Sequence, residues 1–435
     1  MRDHHQLNGS RWDPRTLFYL ISALGILLYF LLSLRWGGQL YTWMIQENAP
    51  EIRFIDYFPH LDDSADRLNL YQHMTGDGQT TYMPLFPPLA YGMYHLLYRL
   101  TAIQGEWTGA LPEAEQIPGA LSVFSIYLIF NALLLFVAIE MTGQRNRKRD
   151  WMIFTLLMLS AIFAGSGFLT GNSTMLVLGL LMIGLQLRDS ASALRREAGL
   201  WLLATCVALK LYPAVFGLLY LKEKRYKELL RLILYSLLLL FVPFVFFGGV
   251  SGVQAWVDNL LNTMQTSDYG RPQYLQGIFA TLIRWITGGE AGLWGKLLTI
   301  AVCLGWVWLA WRSESKQRTM FFLICLMVFF PSNSFRYTLS YFAIPLVMLL
   351  KAGPEEGARP LQTGLLSTLY GLLYTIPVWW LAVIPLERRY EVYALTSVEI
   401  YLYLVAYVLI LVMTAVELRA LRRGKEKAEA KLKDA

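Results

Sequence analysis

Apolar runs of about 20 residues, the length an α-helix needs to cross a hydrocarbon layer, recur along the whole of this 435-residue chain. They can be placed near residues 16–34, 85–103, 119–141, 151–167, 173–187, 199–221, 229–248, 291–311, 319–331, 337–351, 361–384 and 397–418. Charged residues make up only 16% and hydrophobic ones 56%, with a mean hydropathy of +0.42. A soluble protein carries roughly 25% charged residues. The pattern therefore predicts an all-α, polytopic integral membrane protein with about 10–12 transmembrane helices. No polar stretch is long enough to be an independent domain. Residues 16–418 read as a single transmembrane domain, flanked by a polar N-terminus at 1–15 and a basic tail at 419–435. The first apolar run is expected to be retained, because no small-residue cleavage site follows it.

The placement of charge sets the expected topology. Basic clusters lie at Arg145–Arg149, Arg188–Arg196, Lys222–Lys227, Arg312–Arg318 and Arg419–Lys433. Short loops and tails of this kind stay cytoplasmic, which predicts cytoplasmic N- and C-termini. The clusters are scattered between spans and form no continuous stripe, which argues against a nucleic-acid partner. One conflict stands out. The loops at 188–197 and 222–228 both belong inside, yet a single crossing over 199–221 would separate them. The break at Lys210-Leu211-Tyr212-Pro213, where proline interrupts a helix, allows a re-entrant pair of half-helices instead. Two long loops poor in lysine, 35–84 and 249–290, fall outside, and their Trp and Tyr content suits short interfacial helices. Cys206, Cys303 and Cys325 lie in apolar segments without metal or disulfide spacing.

Within the first outer loop, FIDYFPHLDDSADRLNLY (54–71) places Asp56, Asp62, Asp63 and Asp66 at the bilayer edge. Carboxylates there are costly, and a general base needs a carboxylate in a partly desolvated setting. Asp56, between Ile55 and Tyr57-Phe58, is the preferred base. Asp62 and Asp63 are second choices in a more polar run that suits solvated or helix-capping acids. His60 and His73 could join two acids around a metal, but the spacing matches no metal motif. The Asn172 amide, after Gly171, could line a polar pocket or cap the next helix. Lys210 either snorkels to the cytoplasmic face or neutralises a lipid phosphate. Arg336 interrupts an apolar run in Ser334-Phe335-Arg336-Tyr337, with Tyr341 one turn on, and guanidinium is the preferred partner of phosphate. Arg271 in the second outer loop is a weaker candidate. No phosphate loop, dinucleotide fingerprint or hydrolase elbow is present.

Three pieces of the chain resemble the GT-C type, polyprenol-phosphate-dependent glycosyltransferases, and among them the family-87 mannosyltransferases. They are Asp56 followed by the Tyr82–Pro88 approach to the next span, the Gly171-Asn172 turn, and Gly199–Pro213 leading into the basic loop at 222–227. The likeness spans roughly 16–350. The chain departs from that family where a His-containing turn is common and this sequence reads Ser334-Phe335-Arg336-Tyr337. The resemblance implies a GT-C fold in a bacterial cytoplasmic membrane and an inverting transfer of mannose or another hexose or pentose. The donor would be a polyprenyl-phosphate sugar, and the acceptor a glycolipid or cell-envelope glycan on the outer face. It further implies Asp56 as base, with Asp62 and Asp63 behind it. The lipid phosphate would be held by Arg336 and Arg271, with Lys210 a weaker candidate and Tyr337, Tyr212, Asn172 and Tyr82 around it, and with no metal or other cofactor. The alternatives are a transporter or flippase of a lipid-linked saccharide, and a glycan polymerase or ligase using lipid diphosphates.

Overall fold

The structure, a computed structural model, describes residues 12–37, 57–72, 84–101, 119–168, 170–266, 275–288, 292–331, 335–352, 360–382 and 397–433. Helices account for all regular structure among them. In chain order these are α1 (Thr16–Trp36), the short α2 (Phe58–Asp63), α3 (Pro88–Thr101), α4 (Ala120–Met141), α5 (Arg147–Met158, extended by π-helical turns over Ala161–Phe168) and α6 (Thr174–Leu187). Then come α7 (Ala193–Leu209), a 3-10 turn (Tyr212–Phe216) running into α8 (Gly217–Lys222), α9 (Tyr226–Phe241), α10 (Gly249–Thr266), α11 (Leu275–Thr287) and α12 (Gly292–Arg312). The chain closes with α13 (Lys316–Phe329), a 3-10 segment (Arg336–Phe342) running into α14 (Ala343–Lys351), α15 (Pro360–Leu373) and α16 (Ser397–Lys433). Each of the twelve predicted apolar segments is largely helical over its described residues.

Five helices among the described residues are long and apolar enough to cross a membrane: α1, α4, α9 with its 3-10 extension to Phe246, α12, and α16 over Val398–Gly424. Their outer faces carry large apolar side chains exposed to the surroundings. On α1 these are Leu20, Leu24, Leu27 and Leu31, spaced to form one stripe. Contiguous apolar exposure on this scale marks a lipid-facing surface. By contrast, α13 is buried on every side from Thr319 to Phe329, and α6 is nearly so. The periphery thus consists of long spans, and the centre of shorter helices.

Those central helices come in pairs that start and end at the same face. Arg188, at the end of α6, pairs with Glu223 after α8, and the Arg225 Nη2 donates to the Arg188 carbonyl at 2.9 Å. Lys316, at the start of α13, pairs with Asp189. At the far end of that pair of helices, the Lys351 ammonium lies 2.8 Å from the Asp150 carboxylate and donates to the Ile139 carbonyl at 2.6 Å. Both side chains of this ion pair are fully buried. The basic loops at 188–192 and 223–225 therefore share one face, as the broken segment at 199–221 predicts. Gly199 makes one of these pairings possible. A Cβ there would stand 2.8 Å from the Arg188 nitrogen and 3.0 Å from the Gly184 carbonyl oxygen, so only glycine lets α6 and α7 approach.

Three helical hairpins result: α5–α6, α7–α8 and α13–α14, all rooted in the basic face. Their tips stand about 20–25 Å from it, given 1.5 Å per residue over the 14 residues of α6 and the 17 of α7. A hydrocarbon core is about 30 Å thick, so hairpins of this length cover most of such a layer. Removing one member of the buried Asp150–Lys351 pair leaves an uncompensated charge, at a cost of about 3–5 kcal/mol. Lys351→Met is expected to lower the unfolding temperature in detergent sharply, and Lys351→Met with Asp150→Leu to recover most of the loss. Equal unfolding temperatures for wild type and Lys351→Met would show that the pair does not clamp the hairpin.

Candidate active site

The three hairpin tips meet. At the α5–α6 tip, Gly171 adopts a left-handed backbone (φ +70°), where a Cβ would lie 2.6 Å from Tyr57 Cβ and 2.8 Å from Phe124 Cε2. The turn is pressed against the start of α2 on one side and α4 on the other. Asn172 follows, and its side-chain oxygen accepts from the Thr174 N–H (2.9 Å) and the Thr174 hydroxyl (2.6 Å). It thereby tightens the first turn of α6. A third donor reaches the same oxygen: the Lys210 ammonium, from the α7–α8 tip, at 2.6 Å. Lys210 also donates to Thr174 Oγ1 at 3.0 Å. The Asn172 Nδ2 donors are buried without a partner among the described residues.

Lys210 leaves the helix because Pro213 lies just ahead. A proline has no N–H to bond the carbonyl four residues back, here that of Leu209, and its ring crowds that carbonyl, so the chain extends at Lys210 before re-forming a 3-10 turn at Tyr212. The side chain is 3% exposed. Its ammonium lies 4.8 Å from the ring centres of both Phe86 and Tyr337, and 5.8 Å from that of Tyr212. Tyr337 and Tyr341 come from the α13–α14 tip, and the Tyr341 and Tyr212 hydroxyls are 3.3 Å apart. Ring faces stabilise a desolvated cation by about 2 kcal/mol. An ammonium so far from water attracts an anion much more strongly than an exposed one.

The Phe86 ring also meets His60, with ring centres 4.7 Å apart. The imidazole is also boxed by Tyr91 and Tyr94, and its Nδ1 is 3.5 Å from Asp63 Oδ2. His95 Nδ1, from α3, meets the Ser64 carbonyl at 2.9 Å and holds the end of α2. Burial, assisted by the neighbouring Asp63 carboxylate, pushes the Asp62 carboxyl up to about 6.

The candidates read from the sequence thus divide. Asn172, Lys210, Tyr212 and Tyr337 come together, and Arg336, 1% exposed, adjoins Tyr337 in the same tip. Asp56, Tyr82, Arg271 and His73 lie outside the described residues. Two expectations are corrected. Lys210 does not snorkel, because α7 carries it inward from the basic face to the tip. The Asp62-Asp63 pair is not solvated: the Asp63 side chain is 7% exposed and faces His60, and Asp62 is half-buried, because α2 packs down onto α3. Asn172 joins the polar cluster, and it lies one residue ahead of the α6 N-cap, Ser173, with its oxygen accepting from the Thr174 N–H. Phe86, Thr174 and His60 (as a neighbour of this cluster) were not singled out for the site. For Phe86 the signal was available, in an aromatic residue between the helix-breaking Pro84 and Pro87.

Fold and site define a polytopic all-α membrane protein with a buried cation, an amide and aromatic rings gathered near one boundary of the bilayer. The model of glycosyltransferase family 87 matches residues 116–334, just over half of the chain. The chain belongs to that family, and the protein is a membrane glycosyltransferase. No curated protein matches the chain. The matched region contains the whole of the α5–α6 and α7–α8 hairpins, with the tips bearing Asn172 and Lys210, and α13 of the third.

Gly171→Ala would force a Cβ into Tyr57 on a backbone that L-residues avoid. It is expected to cost most of the activity while the spans still insert, as read by transfer per folded molecule. For Asp62, the folded-state value lies above the ordinary 3.8, so its charged form opposes folding. Stability should fall as pH rises from about 4 through 6 and level off above. Asp62→Asn should flatten that fall in unfolding temperature, and an unchanged profile would remove Asp62 as its source.

Proposed function

We propose that the protein transfers a sugar, mannose or another hexose or pentose, from a polyprenyl-phosphate donor to a glycolipid or cell-envelope glycan, with inversion. The observation that carries this reading is the Lys210 ammonium, desolvated at the junction of three hairpin tips with the buried Asn172 amide beside it. Asp56 is the proposed base. Its chain neighbour Tyr57 packs against Gly171, which adjoins Asn172, and this contact supports placing the acceptor hydroxyl there.

The base would take the proton of the acceptor hydroxyl as the acceptor oxygen bonds to the anomeric carbon. The bond from that carbon to the phosphate oxygen breaks, and its electron pair leaves with the lipid phosphate. The donor's phosphodiester carries one negative charge and the departing monoester two, so charge builds at the phosphate as the bond breaks. A fixed, desolvated ammonium stabilises this state more than the ground state, which is what accelerates transfer. Neutralisation by Lys210, with Arg336 and Arg271 as further candidates, would make a divalent metal unnecessary. The basic face would lie in the cytoplasm and the hairpin tips near the outer leaflet of a bacterial cytoplasmic membrane. Family membership favours this enzyme reading over the transporter.

Purified protein tested against a panel of radiolabelled polyprenyl-phosphate and diphosphate sugars would identify the donor. Transfer should occur from a monophosphate donor, persist in EDTA, and fall by a factor of about 100 or more in Lys210→Met and Asp56→Asn, the range for losing a charge-stabilising or general-base group. Full activity in Asp56→Asn would remove it as the base, and transfer from diphosphate donors alone would point to a polymerase or ligase.

A further inference from the structure

The segment Pro84-Leu85-Phe86-Pro87 forms neither helix nor strand, and two of its four residues have no N–H. Its carbonyl groups cannot be paired by regular structure, and buried backbone acceptors need donors. Each finds one. The Pro84 carbonyl accepts from Asn259 Nδ2 (3.3 Å), Leu85 from Trp256 Nε1 (3.1 Å), Phe86 from the Tyr71 hydroxyl (2.9 Å) and Pro87 from the Ala90 N–H (3.0 Å). Asn259 Nδ2 also donates to the Tyr71 carbonyl at 3.1 Å, so the two hydrogens of one amide tie the end of the first outer loop to the strap. Trp256 and Asn259 stand three residues apart on α10, and hence on one face of it.

We propose that α10, through Asn259 and Trp256, is the positioning element of the lysine site, holding the Phe86 ring against the Lys210 ammonium. The proposal rests on the reading of Lys210 as the group that binds a lipid phosphate. Phe86 lies on an irregular strap whose backbone, among the described residues, is held by these side-chain donors and the start of α3, while its ring packs against His60, Tyr91 and Tyr94. Its ring contacts two ionisable side chains, Lys210 at 4.8 Å and His60 at 4.7 Å, so a shift of the strap would disturb both. The second outer loop, which contributes no side chain to the Lys210 contacts described above, thereby governs how well the ammonium is aimed. Asn259 and Trp256 are positioning residues. They act through Phe86, which touches the cation.

The test is binding of farnesyl phosphate to the full-length protein in detergent by titration calorimetry, with unfolding temperature measured alongside. Trp256→Phe keeps the packed ring and removes only the indole donor, and Asn259→Leu removes both amide donors. Each is expected to weaken binding about five- to tenfold, the effect of losing one aligned cation–ring contact, and Asn259→Gln to weaken it less. Phe86→Leu should weaken binding to the same degree. Adding Trp256→Phe to Phe86→Leu should cost nothing further, because both act through one ring. Wild-type affinity in Trp256→Phe and Asn259→Leu, or losses that multiply with that of Phe86→Leu, would overturn the proposal. Lys210→Met separates the two readings. If it binds farnesyl phosphate as well as wild type, the phosphate site itself is wrong. If it loses binding while the α10 variants keep it, only the positioning role fails.

Discussion

A single ammonium, that of Lys210, sets the conditions for the centre of this protein. A charge buried among the helices of a membrane protein is stable only if polar atoms and ring faces replace its water. Here they come from three separate hairpins and a strap: Asn172 and Thr174 from one tip, Tyr212 from its own, Tyr337 from a third, and Phe86 from the strap. None of these elements could shift by a helical turn without stranding the cation. The Asn172 oxygen is the tightest point, since it accepts from the lysine and from both donors of Thr174 at once.

The same hairpins are tied at their roots. Asp189 lies between Arg188, Arg225 and Lys316, so the roots of all three hairpins share one carboxylate. Asp150 and Lys351 close the other side of the α13–α14 hairpin. Helices in lipid gain little from hydrophobic burial against one another, and polar contacts and close packing hold them instead. Fixing both ends of short, buried helices while long spans face the lipid is one solution to that constraint. It brings the three hairpin tips together around the Lys210 ammonium.

Much of this was legible in the chain. The span positions followed from apolar length, and the conflict between the basic loops at 188–197 and 222–228 was enough to predict that the segment between them turns back. The proline at 213 said where. Asn172, Lys210, Tyr212 and Tyr337 could be named because polar residues within apolar runs are expensive and so conspicuous. Asp62 and Asp63 were misread because a polar run looks solvated until something packs over it, and α3 does so through aromatic residues that read as ordinary span. His60 was weighed only as a metal ligand, since nothing local told that three rings would enclose it.

By itself the sequence determined the all-α membrane class, the shared basic face, the breaks in the helices and the polar residues set within apolar runs. Those properties depend on length, charge placement and local backbone chemistry, which are written in order along the chain. Only the tertiary structure decided that Asn172, Lys210 and Tyr337, up to 165 residues apart, share one pocket, and that Phe86 belongs with them. Which buried polar groups meet depends on how the hairpins pack, and apolar helices of similar length carry no local mark of their neighbours.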